Sequence, residues 1–113
     1  FLGEAVRRDA AAYDGVVAAY RRPKEERAPF VEEALQQATR VPLEVAERSA
    51  RLRETLEKLA AEAPPKVSSD VETAIALASA AVRGALANVR INLGSIKDEP
   101  FRRFAEERVA ALE

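Results

Sequence analysis

Between Asp70 and Leu93 the chain holds its longest uninterrupted helical pattern, and this segment constrains the fold more than any other. Ile75, Ser79, Val82, Leu86, Val89 and Leu93 recur every three or four residues, the spacing of one helical face. The end of the segment is unusual. Asn88 and Asn92 share a face, being four residues apart, although Asn is a poor helix former whose side chain competes for backbone hydrogen bonds. Ala81, Gly84 and Ala85 lie on the same side, and a Gly in a helix interior costs roughly 1 kcal/mol relative to Ala. Small residues beside paired amides predict that another backbone or a ligand comes close to this face. Arg90 is about 200° of rotation from Asn88 and points nearly the opposite way.

The remaining stretches are also helical. Leu2, Val6, Asp9, Tyr13, Val16 and Tyr20 alternate at spacings of four and three, which predicts a first helix, Leu2 to about Arg21, whose stripe faces a core or a partner helix. Asp9 stands in that stripe; Asp14 lies off it. An Asp among apolar stripe residues is either a polar device that fixes register or meets a partner Arg, or a desolvated carboxyl able to donate a proton near neutral pH. Arg21, Arg22 and Lys24 surround Pro23, which cannot continue the helix. They complement its dipole or face an anion. Pro29 suits a first helical position. Phe30 or Val31, Ala34, Ala38 and Val41 give the next stripe, then Val45, Ser49, Leu52, Leu56 and Leu59. Between them Pro42 either starts a new helix or bends a continuous one.

Ala63-Pro64-Pro65-Lys66 is a loop. Ser69 and Glu72 read as a capping box, with Asp70 favoured by the helix dipole. Gly94 is placed to end this helix. Asp98 is the expected N-cap of a last helix, with Phe101, Phe104, Ala105 and Leu112 on its buried side. Asp70 and Asn88 point the same way but lie ~27 Å apart along the axis at ~1.5 Å per residue. Only antiparallel pairing with a second copy brings one chain's Asp70 near another's Asn88, a hint of a symmetric dimer.

Composition narrows the chemistry. The chain of 113 residues has 24 Ala, 14 Arg, no Cys and no His, so acid–base work falls to Asp, Glu, Lys or Tyr, and no Cys- or His-based metal site is available. A net charge of −1 does not point to nucleic acid. No run is expected to approach the ~20 apolar residues of a membrane span. The chain opens on Phe1 and contains no Met, as expected of a processed chain or a piece of a longer one.

Four stretches in order resemble one family: Asp9-Ala10-Ala11-Ala12-Tyr13-Asp14; Pro23-Lys24; Val41-Pro42-Leu43 with Ala46; and Ser69-Asp70 followed by Gly84-Ala85 and Asn88-Val89-Arg90-Ile91-Asn92-Leu93. The family is the cyclodeaminase module of formiminotransferase-cyclodeaminase, whose stand-alone bacterial relatives include methenyltetrahydrofolate cyclohydrolases. The last stretch is the most specific. The resemblance implies an all-helical dimer with a folate site near the subunit interface and closure of 5-formiminotetrahydrofolate to 5,10-methenyltetrahydrofolate with release of ammonia. The family's proposed proton donor matches Asp9. Asn88 and Asn92 are then expected at the pterin edge, Lys24 and Arg90, with Arg21 and Arg22, near the glutamate tail, and Asp70 at the substrate. Three departures stand out. The family's Gly-rich N-terminal helical segment is missing before the Asp9 helix. Ala63-Pro64-Pro65-Lys66 replaces a Gly-Asn loop. Arg22 stands where a Leu usually precedes Pro-Lys.

The expectation is therefore an all-α bundle of about five helices, residues 1–113 forming one cyclodeaminase-like domain in a symmetric homodimer. Its expected role is cytoplasmic folate chemistry on a tetrahydrofolate derivative, with no metal, no further cofactor, no nucleic acid and no membrane partner. Cyclodeaminase leads, cyclohydrolase is the alternative on the same fold, and a non-catalytic helical scaffold is the rival of a different class.

Overall fold

The computed structural model describes residues 1–113, which form four α-helices and no strand. They are α1 (Leu2–Tyr20), α2 (Arg27–Glu62), α3 (Ser68–Leu93) and α4 (Glu99–Leu112), with one 3-10 turn, Pro65–Val67, leading into α3. The all-α expectation holds; the count of about five helices is corrected to four. The difference lies at Pro42, which sits inside α2 without ending it. A proline in a helix interior costs roughly 3 kcal/mol, and burial offsets this: Pro42 lies in the core-facing run with Val41, Leu43 and Ala46.

At 36 residues, α2 is the spine on which α1, α3 and α4 each pack. α3 returns antiparallel to it, which places Asn92 beside Ala38. The core joins Leu35, Leu43 and Ala46 of α2 to Val82, Leu86, Val89 and Leu93 of α3 and to Phe101, Ala105 and Val109 of α4, with Ile96 of the connecting loop at its centre. From Val82 to Leu93 the α3 stripe is thus buried as its spacing predicts, while Ile75 and Ser79 are only partly buried. α1 and α3 do not pack on one another, so an open groove runs between them with α2 as its floor. The radius of gyration is 17.3 Å, above the about 13 Å of a compact chain of this length. The body is a slab of 62 × 26 × 16 Å.

Several local expectations are corrected. The large-residue stripe of α1 does not face the chain's own core: Leu2, Val6 and Tyr13 are 71, 70 and 67% exposed. α1 instead lies on α2 through Ala5 and Ala19, which are buried, and Ala12 and Val16, which are partly so. In α4, Phe104 is exposed against the Phe101 ring, and Val109 takes the buried place. The capping box does not form. α3 begins at Ser68 without a side-chain cap, and Ser68 Oγ donates instead to Pro65 O. Asp70 does occupy the first turn. Gly94 follows the last residue of α3 but in right-handed geometry, φ −60°. Asp98 caps α4 as expected, accepting from Phe101 N at 3.0 Å.

The hydropathy expectation also changes. Pro65–Leu93 is long and apolar enough to cross a membrane: an 18-residue window of it has a mean hydropathy of 1.3, and 28% of that window is buried. Its alanines supply much of this apolar character. One face packs on α2 and the other stays uncovered: Leu77, Ala81, Gly84 and Ile91 are exposed.

Candidate functional site

The groove between α1 and α3 brings together residues that lie far apart in sequence. It contains two adjoining depressions. The larger, about 650 Å³, is lined by Leu2, Val6 and Asp9 of α1, by Val41, Pro42 and Val45 of α2, and by Ala81, Ala85 and Asn88 of α3, among others. The smaller, about 310 Å³, is lined by Asp9, Tyr13, Pro42, Ala38, Asn88, Ile91 and Asn92, among others. Asp9, Pro42 and Asn88 border both. The floor is apolar because the buried Val41 and Pro42 of α2, with Val45, form it. The polar groups sit on the walls, the arrangement usual in small-molecule sites.

Each wall is set by helical spacing. Asp9 lies between Val6 and Tyr13 on the flank of α1 that borders the groove, and it is exposed there. The desolvation expected for it is absent in the single chain. Asn88 is exposed on α3, and Asn92, one turn on, is half-buried. Asn92 Nδ2 donates to Ala38 O at 3.3 Å, so this amide is engaged with α2. A Cβ placed on Gly84 meets nothing within 4 Å. The close approach that the small residues predict is made in part by α2, whose backbone reaches Asn92 and against which Ala85 is buried, while the Gly84 position stays open.

The other expected site residues lie elsewhere. Arg90 faces the far side, paired with Glu113 beside Arg102 and Glu106, as its rotation from Asn88 requires. Asp70 is exposed at the opposite end of α3. Lys24 is exposed in the α1–α2 corner. There Arg22 stacks 3.6 Å from the Phe30 ring centroid, and Arg27 reaches Tyr20 O at the end of α1. Tyr13, Pro42 and Ile91 border the groove and were not expected as site residues. All three stand inside the family stretches, and Pro42 reads besides as a break or bend in its helix. No group of three or more acidic side chains is placed to hold a metal.

A family profile described as formiminotransferase-cyclodeaminase matches residues 2–111. The chain belongs to this family. It is 34% identical to the formimidoyltransferase-cyclodeaminase of Sus scrofa over 92% of its own length and 20% of the relative's. It is 38% identical to the methenyltetrahydrofolate cyclohydrolase of Methylorubrum extorquens over 93% of its length and 52% of the relative's. In structure it matches formiminotetrahydrofolate cyclodeaminase of Thermotoga maritima with a TM-score of 0.88 and 30% identity, covering 96% of this chain and 53% of that one. The chain therefore spans about half the length of these bacterial relatives and a fifth of the mammalian one.

Proposed function

We infer that the protein acts on a tetrahydrofolate derivative held in the groove between α1 and α3, with Asp9 as the general acid. One observation carries this reading: Asp9 and Asn88 sit on helices that do not pack on each other, yet both border the same two depressions over an apolar floor. A pterin offers apolar faces and a polar edge. Val6, Val41 and Val45 suit the faces, and the Asn88 amide suits the edge.

In the cyclodeaminase reading, N10 of the folate attacks the formimino carbon and a tetrahedral centre forms. The nitrogen leaves as ammonia once it is protonated, and Asp9 supplies that proton. The cyclohydrolase reading uses the same carboxyl to manage protons as water opens methenyl-folate. The 38% identity to the Methylorubrum enzyme supports it. The uncovered faces of α1 and α3 support a homodimer in which a second copy closes the groove. Asp70 and Arg90, remote from the single-chain groove, then reach a substrate only across such a contact. Lys24, with Arg21, is left to meet an anionic tail. A cytoplasmic location and the need for no cofactor beyond tetrahydrofolate belong to the same proposal.

The test is a thermal-shift titration with tetrahydrofolate. Binding to the native state raises stability by about 2.7 kcal/mol at 100 times Kd. Ala81→Trp fills the groove from an exposed position, so it should leave the fold intact and remove the shift. An equal shift in Ala81→Trp contradicts the placement.

A further inference from the structure

Pro42 creates a defect that Asn92 fits. A helical carbonyl accepts from the N–H four residues on. For Ala38 that residue is Pro42, which has no N–H. The carbonyl without its helical donor is the one that receives Asn92 Nδ2 at 3.3 Å from α3. The chain has no buried side-chain nitrogen or oxygen without a partner, so the pairing is complete on the side-chain side. Asn92 lies one turn beyond Asn88 on the same face, and Ala38, Pro42, Asn88 and Asn92 all border the smaller depression.

We propose that Asn92 is a positioning residue: it takes up the carbonyl that Pro42 leaves open and thereby fixes the rotation of α3 on α2 that turns Asn88 toward Asp9. The bond explains why a poor helix former occupies the last turn of α3. It also explains why a proline can stand inside α2 at the floor of the groove. Neither residue is explained alone, because each is unfavourable in its own helix.

The test is a double-mutant cycle on the intact protein, read by urea unfolding, which needs no folate. With Pro42 present, Asn92→Ala should lower the folding equilibrium constant about fivefold, the worth of one net hydrogen bond. Pro42→Ala restores the N–H that Ala38 O lacks. In that background Asn92→Ala should be neutral or improve stability by up to about threefold, because Ala is the better helix former. An Asn92→Ala effect that differs by less than about twofold between the two backgrounds overturns the proposal. Asn92→Asp, with Pro42 intact, provides an independent check. It keeps the shape but cannot donate, so it should destabilise at least as much as Asn92→Ala. Wild-type stability in Asn92→Asp also overturns the proposal.

A second readout rests on the folate reading above. Turnover lost in Asn92→Ala should return to the Pro42→Ala level in the double variant, with KM unchanged throughout. A raised KM that Pro42→Ala does not relieve makes Asn92 a substrate contact instead and overturns its positioning role. Absence of turnover in every variant, wild type included, counts against the folate reading alone and leaves the unfolding cycle to decide on Asn92.

Discussion

Removing Glu32 should loosen the end of the molecule where α4 begins. Glu32 stands on α2 and is half-buried. Its carboxylate accepts from Lys97 N at 3.1 and 3.0 Å and from Asp98 N at 3.0 Å. Asp98 is the N-cap of α4, and in a local capping box its N–H would be met by a Glu three residues on. Phe101 occupies that position, so Glu32 supplies the acceptor from another helix and holds Ile96, 1% exposed, in the core. A hydrogen bond to a charged group contributes about 1.5–3 kcal/mol. Two such bonds at a partly solvated site put Glu32→Ala at the low end, about 2–3 kcal/mol, or about 8–12 °C in Tm. Glu32→Gln keeps one acceptor oxygen and should lose about half as much. Burial pushes the carboxyl up, but the two backbone N–H groups outweigh it and hold Glu32 below its ordinary 4.5. A depressed carboxyl adds stability that is full above the unfolded value and is lost as pH falls through the folded one. Urea unfolding should therefore separate wild type from Glu32→Gln at pH 7 and bring them together at pH 3. A gap of the same size at both pH values refutes the reasoning.

Four further outcomes follow from the packing. Asp98→Ala should cost about 1 kcal/mol in urea unfolding, and Asp98→Ser should recover most of it. Gly84→Ala should stabilise a single chain by roughly 0.5–1 kcal/mol. If a second copy lies against this face, the same change should weaken the dimer in sedimentation, and a variant that does neither removes the case for a close approach. Ala19→Leu should cost about 1–3 kcal/mol through overpacking between α1 and α2. Arg8→Ala, which removes the partly buried contact with Glu44, should lower stability only slightly in urea unfolding.

Legibility in the sequence followed the size of the signal. The α3 face was readable because Val82, Leu86, Val89 and Leu93 are large and regularly spaced, and the Asp98 cap because its chemistry is local. The seating of α1 was not. Its inward face is made of Ala5, Ala12 and Ala19, whose small side chains give a weak pattern beside the larger Leu2, Val6 and Tyr13 on the adjoining face, which borders the groove. Pro42 was ambiguous because propensity argues for a break, while burial and a partner from α3 decide for continuity. Asp9 was legible as a misfit in its stripe, and Asn88 as a poor helix former on a face of small residues. Their meeting across one groove was not, since it depends on α1 and α3 lying on α2 without touching. The Glu32 clamp and the Asn92 bond span 65 and 54 residues, beyond any local rule.

Asp9→Asn tests the central claim most directly, in single-turnover assays with formiminotetrahydrofolate and with methenyltetrahydrofolate alongside a binding titration. The account predicts folate affinity and helicity close to wild type, because the amide keeps the shape of the carboxyl, and loss of turnover on whichever substrate the wild type converts. Turnover retained by Asp9→Asn at the wild-type rate contradicts the account: the groove would then bind folate without Asp9 performing the proton transfer.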